Sequence, residues 1–149
     1  VDCNRVLEKA LAYLEMSVRE SGAVVTHDSL PTVMAVEVPL TLVFQNLIGN
    51  AIKYRRPDEP PRIHISAARK DGTWSFAVTD NGIGIDAEFL QMIFAPFKRL
   101  HGREYPGTGT GLAMCQKIVE RYRGRIWAES AEGRGSTFHF TIPAKGGAE

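Results

Sequence analysis

Apolar and polar residues alternate along the chain with two different periods. Leu7, Leu11, Leu14 and Val18 recur every three or four positions after Asp2, and Gly22 follows them. That spacing predicts an amphipathic first helix, capped by Asp2 and ended by Gly22. Ala23–Thr26 and Thr32–Val36 are short β-prone stretches separated by Asp28-Ser29-Leu30-Pro31, and they read as a small pair of strands. Pro39 suits the first turn of a second helix. This helix is expected to reach about Tyr54, with Val43, Leu47 and Ala51 on one apolar stripe and Phe44 and Ile48 beside it. After the proline-rich loop 55–62, Ile63, Ile65 and Ala67 alternate with polar residues as in a half-buried strand. Asp71-Gly72 is a hairpin turn, and Trp74, Phe76 and Val78 alternate in the partner strand. Asp86 can cap a short helix through Ile93. A third long helix is expected from Gly111 to about Arg123, on a stripe of Leu112, Cys115, Ile118 or Val119, and Tyr122, with Gly124 as its C-cap. Arg125–Glu129 and Thr137–Ile142 read as two closing strands around a turn at 131–135, and 144–149 as a disordered tail.

This order of elements predicts an α/β (α+β) two-layer sandwich. Its sheet would be mixed, mostly antiparallel and of about five strands plus the small hairpin, with three main helices on one face. Residues 1–143 are expected to form one domain.

Charge and cysteine usage narrow the function classes. Lys plus Arg number 18 and Asp plus Glu 17, so the net charge of +1 argues against a nucleic-acid or anionic-membrane binder. No apolar run approaches the roughly 18 residues that span a bilayer, and no signal-peptide pattern is visible. Cys3 and Cys115 lack a CxxC spacing and read as reduced thiols of a cytosolic domain. His27, His64, His101 and His139 are scattered without ligand spacing, so no zinc site is expected. The chain opens inside a helix-capping sequence, as expected of a domain excised from a longer protein.

The candidate chemistry gathers between Thr79 and Leu112. Two glycine clusters, TDNGIGI and GTGTGL, bracket a basic run from Lys98 to Arg103. Glycine at this density is costly in backbone entropy. Either these are two mobile surface loops, or main-chain N–H groups grip an anionic ligand. On the second helix Asn46, Asn50 and Lys53 share a polar face, with Tyr54 at its edge. That face is either simply solvated or functional, offering an amide oxygen to a hard cation, a lysine to a phosphate and a ring to a base. Asp80 sits where a strand runs into the first glycine turn, which suits a directional hydrogen bond. Phe94 and Phe97 are expected to anchor a loop on the core, and Lys98–Pro106 to be a mobile segment.

The common nucleotide motifs fail. The nearest P-loop match, Gly102 to Gly107-Thr108, has no lysine; Gly82-Ile83-Gly84 is followed by Ala87 and lacks a parallel βαβ context; HRD and DFG are absent. What remains is NxxxNxxKY on a helix, DxGxG after a strand, FxxF, and GTGxGL opening a helix, in that order. This set resembles the catalytic, ATP-binding domain of bacterial sensor histidine kinases, in the gyrase/chaperone/mismatch-repair ATPase superfamily with its Bergerat-type fold. The resemblance covers about Asp2 to Pro143. FKRLHGREYPGTGTGL and RGRIWAES look most like kinases of the phytochrome-related kind.

The resemblance implies roles. Asn46 and Asn50 match the N box, and Asn50 would hold Mg²⁺ bridging the phosphates of ATP. Lys53 would reach the phosphates and Tyr54 would flank the adenine. Asp80 would accept from the adenine amino group; Gly82 and Gly84 would let backbone close over the base, with Ile85 lining the pocket. Phe94 and Phe97 match the F box at the root of the ATP lid, and Arg99, with Lys98, its basic position. The G2 box would be Gly107, Thr108, Gly109, Thr110, Gly111 and Leu112. Thr137 matches a hydroxyl position near Asp80. Asn46, Lys53 and Arg99 would serve catalysis. Thr110 stands where leucine or isoleucine is common, and the short lid leaves His101 and Arg103 as solvated residues or phosphate contacts.

In hydrolysing members of the superfamily a glutamate four residues before the Mg²⁺ asparagine activates water. Here Asn46 holds that position and cannot be a general base. That favours phosphoryl transfer to a protein. The resemblance implies a phosphoacceptor histidine on a separate dimerisation domain, a downstream response regulator as partner, a cytoplasmic location and a monomeric isolated fragment. Such a fragment would bind ATP without completing transfer. An anti-sigma-like serine kinase and a degenerate nucleotide-sensing scaffold are the alternatives. FxxF and the lid favour the histidine kinase; retention of Asn50, Asp80, Gly84 and Gly109 argues against the scaffold.

Overall fold

The computed structural model of the chain describes residues 1–85, 90, 93–94, 111–130 and 134–143. The helix capped by Asp86, Phe97, the segment Lys98–Pro106, the G2 residues Gly107 to Thr110, most of the 131–135 turn and the tail lie outside the described residues.

Asp2 caps the first helix as expected, its Oδ1 accepting from Asn4 N at 2.9 Å. The single helix predicted there is two, α1 (Cys3–Tyr13) and α2 (Glu15–Ser21), broken at Leu14 (φ −97°, ψ 9°). The break follows the burial. Cys3, Val6, Leu7 and Ala10 of α1 lie in the core, whereas no residue of α2 is fully buried. Gly22 ends α2 in the left-handed conformation, φ 72°.

β1 (Val24–His27) forms, but not as half of a small hairpin. It runs parallel to β2 (Arg62–Lys70), with Val25 opposite Ile63. Residues 32–36 are not a strand, because the chain leaving β1 is drawn under α1. Asn4 clasps Leu30 through both amide atoms, at 2.9 and 3.0 Å, and Leu30 and Val33 are buried. Asp2 and Thr32 make only an isolated bridge.

α3 (Glu37–Lys53) starts two residues before Pro39, which occupies its first turn. Its buried residues include the predicted Val43, Phe44, Leu47, Ile48 and Ala51. β2 and β3 (Thr73–Asp80) pair around Asp71-Gly72, both at positive φ. α4 (Gly111–Arg121) precedes β4 (Ile126–Ser130) and β5 (Ser136–Pro143). The left-handed residue after α4 is Arg123 (φ 62°) rather than the predicted cap Gly124. Gly124 is needed for a different reason: a Cβ there would lie 1.8 Å from Thr141 O.

The strand order is β1-β2-β3-β5-β4, antiparallel except at the β1 edge. Strand alternation sends Ile63, Ile65, Phe76, Val78, Phe138, Phe140 and Ile142 to the helix side. There Phe76 and Phe140 stack at 4.8 Å between centroids, and Phe44 of α3 meets both rings edge-on at 5.9 and 5.4 Å. The architecture is the expected two-layer sandwich. Cys3 and Cys115 are free and buried, and burial pushes each thiol up to about 12, which leaves them unreactive near neutrality.

Candidate functional site

α3 carries the polar face predicted for it. Asn46, Asn50, Lys53 and Tyr54 are all half-buried along one side of its second half. Asn46 donates its amide Nδ2 to Leu42 O at 2.8 Å, one turn back. Its Oδ1 is thereby turned towards the start of α4, where a Cβ on Gly111 would come within 2.6 Å of it. Gly111 is glycine because α4 begins against that amide. At the other end of the face, Tyr54 O accepts from Ile83 N at 3.0 Å, and a Cβ on Gly82 would meet the same oxygen at 2.7 Å. One helix therefore touches both glycine segments, at points about 12 Å apart along its axis at 1.5 Å per residue. Asn50 and Lys53 lie between.

Asp80 ends β3 on the helix side, two residues beyond Val78. Its Oδ1 accepts from Gly82 N at 2.8 Å and Ser136 N at 3.2 Å. Among the described residues none donates to Oδ2. Burial raises the carboxyl above the ordinary carboxylate range, and the two backbone donors pull the other way. The turn beyond it is tight. Gly84 has φ 77°, and Gly135, at φ 79°, would place a Cβ 2.2 Å from Asp80 O. Ile85 is buried in the core, and its N–H donates to Ser130 Oγ at 2.7 Å. Phe94 packs edge-on against Phe138 at 6.4 Å, the anchoring role predicted for it.

Thr137 does not stand beside Asp80. It pairs with Thr79, and Asp80 pairs with Ser136. Successive strand residues point to opposite faces, so Thr137 lies on the outer face, its hydroxyl 3.3 Å from that of Thr79. Ser136 is the hydroxyl residue at Asp80. Its parity with Phe138, Phe140 and Ile142 could have identified it. Ser130 was missed as well. It receives Ile85 N, donates to Gly135 O at 2.8 Å and lies 2.8 Å from Ser136 Oγ, so one hydroxyl ties the first glycine turn to β4 and β5. No local pattern marks it, since Ile85, whose N–H it receives, lies far away in sequence. Gly111 and Leu112 open α4 as expected. Lys98, Arg99, Gly107, Thr108, Gly109 and Thr110 lie outside the described residues.

Among the described residues no three His, Cys, Asp or Glu side chains cluster as a metal cage. A neutral amide oxygen from Asn50 fits Mg²⁺, which keeps waters and phosphate oxygens as its other ligands.

The sequence profile of the family described as "Histidine kinase-, DNA gyrase B-, and HSP90-like ATPase" matches residues 35–146. Cyanobacterial phytochrome A of Nostoc sp. is 56% identical over 146 residues, covering 97% of this chain and 19% of its own length. The chain thus spans about a fifth of that relative. Among solved structures, full-length ShkA in complex with AMPPNP superposes with a TM-score of 0.83 at 26% identity, over 100% of this chain and 31% of that one. Histidine kinase ThkA in complex with the response regulator TrrA superposes with a TM-score of 0.78 at 26% identity, over 97% and 41%.

Proposed function

The chain belongs to the histidine kinase-, DNA gyrase B- and HSP90-like ATPases, and from that premise we propose that it binds Mg-ATP along α3 and supplies the γ-phosphoryl group to a histidine on a separate dimerisation domain. The observation that carries this reading is Asp80. It is a largely buried carboxylate with one oxygen fixed by two backbone N–H groups and the other unclaimed by any described residue. Such a group recognises a paired donor such as the amino edge of adenine. Gly82 and Gly84 bring backbone over the base, with Ile85 beneath and Tyr54 at its side. The phosphates then run along α3 past Lys53 and Asn50 towards the N-terminus of α4, and a helix N-terminus favours an anion. Mg²⁺, when bound at Asn50, would neutralise charge between the phosphates. Lys98 and Arg99 are assigned to the same phosphates, as are Gly107, Thr108, Gly109 and Thr110.

The chain's own part in transfer is positioning and charge neutralisation. Asn46, with its amide spent on Leu42 O and its oxygen facing Gly111, has no group that could deprotonate water. That supports transfer to a protein over hydrolysis. ShkA with AMPPNP and ThkA with a response regulator support the nucleotide and the downstream partner. A cytoplasmic setting is proposed with them; among the described residues no helix is long and apolar enough to cross a membrane.

Calorimetric titration of the chain with ATP, with and without Mg²⁺, tests the reading. One saturable site, tighter with Mg²⁺, is the expected result. No binding under either condition would overturn it.

A further inference from the structure

The loop after α3 carries a side chain that no motif marks. Arg56 Nε donates to Asn81 O at 3.1 Å and to Gly82 O at 3.3 Å. The first carbonyl belongs to the peptide unit whose other end, Gly82 N–H, donates to Asp80 Oδ1 at 2.8 Å. The second belongs to the unit whose Ile83 N–H donates to Tyr54 O at 3.0 Å. Two successive peptide units of the glycine turn are therefore gripped at both ends, and Arg56 supplies one end of each. A cation on a carbonyl oxygen polarises the amide and strengthens what its N–H donates.

The loop is itself held in place. Asn81 accepts from Arg62 N at 2.7 Å and donates to Pro60 O at 3.2 Å. Glu59 lies 3.6 Å from Arg56 Nε and 3.9 Å from Arg62 Nη2. Rotation of the Asn81–Gly82 peptide would break the Arg56 contact and release Asp80 Oδ1 in one movement. Gly82 offers no steric barrier of its own to that rotation, because it has no side chain.

We propose that Arg56 is a positioning residue for base recognition: it fixes the Asn81–Gly82 peptide and, through Gly82 N–H, the direction in which the Asp80 carboxylate presents its second oxygen. The proposal rests on Asp80 reading the base, as argued above. Arg56 does not touch the nucleotide. It sets how sharply Asp80 separates a base edge that donates, as adenine does, from one that presents a carbonyl, as guanine does.

The test is titration of wild type, Arg56→Ala, Arg56→Lys and Glu59→Gln with ATP, ADP and GTP, beside thermal unfolding of each. Arg56→Ala should weaken ATP about tenfold, the scale of one charge-assisted hydrogen bond, and ADP by the same factor, because the change lies at the base end. The preference for ATP over GTP should shrink by a similar factor. Arg56→Lys should recover part of both, since it restores a cation without the planar fork. Glu59→Gln keeps an oxygen acceptor beside Arg56 Nε and leaves both carbonyl contacts in place, so it should leave the preference unchanged. If Arg56→Ala unfolds, Arg56→Gln carries the same comparison. A folded Arg56 variant whose ATP:GTP preference equals that of wild type overturns the proposal, even if its affinity falls. Failure of the wild type to bind any adenine nucleotide would instead overturn the underlying assignment of the site, and this inference with it.

Discussion

Asp80→Asn separates what a residue does for binding from what it does for folding. Both backbone donors converge on Oδ1 of Asp80. An asparagine would keep its oxygen there, because Gly82 N and Ser136 N still need an acceptor. Its Nδ2 would then occupy the place of Oδ2, and a donor would face the adenine amino group. A charge-assisted hydrogen bond contributes about 1.5–3 kcal/mol, so ATP affinity should fall by about 10- to 150-fold, at 1.4 kcal/mol per factor of ten. The opposed donors place the expectation at the upper end. Calorimetry with Mg-ATP reads the change. An affinity within twofold of wild type would refute the assignment.

Stability should move the other way. Burial holds the Asp80 carboxyl above its ordinary range, so the native state keeps its proton to a higher pH than the unfolded chain. Between the unfolded and the folded value the native state binds more protons, and stability falls as pH rises through that window. Above it, the chain carries the cost of a buried charge. Asp80→Asn removes that cost while retaining the acceptor for both N–H groups. The variant should therefore unfold at or above the wild-type temperature at neutral pH, and lose the part of the decline above the acidic range that Asp80 causes. A variant that both fails to bind and melts early would show that the carboxylate stabilises the fold, contrary to the burial argument.

Three further substitutions probe other parts of the site. Ser130→Ala leaves Ile85 N and Gly135 O without their hydroxyl partner; urea unfolding should show a loss of about 1–3 kcal/mol, and unchanged stability would mean water replaces the hydroxyl. Gly111→Ala pushes a methyl against Asn46 Oδ1, so ATP should weaken far more than adenosine, and equal losses for both would place Gly111 away from the phosphates. Thr137→Ala alters a hydroxyl on the outer face; ATP affinity should stay within about twofold, the scatter of a surface change, and a larger loss would return Thr137 to the site.

Much of the candidate site was legible because its residues are carried by local signals. The apolar stripe of α3 fixed which face was left for Asn46, Asn50 and Lys53, and the hairpin at Asp71-Gly72 placed Asp80 at the end of a strand. What escaped depends on partners far along the chain. The segment 32–36 has strand-like composition, but Asn4 takes both polar atoms of Leu30 and β1 pairs with β2 instead. The break at Leu14 follows the last fully buried residue of the first helix, Ala10, and burial is not written in the helical spacing. Arg56 reads as one charge in a proline-rich loop until the Asn81 and Gly82 carbonyls are seen beside it. Thr137 is the instructive case, because composition could not choose between two adjacent hydroxyls. Parity could. Asp80 shares its face with Phe76 and Val78, and the residue opposite it must share a face with Phe138 and Phe140. Only Ser136 does. A regular strand of period two assigns alternate residues to opposite faces. The inner hydroxyl was therefore determined by the hydrophobic pattern that predicted the strand.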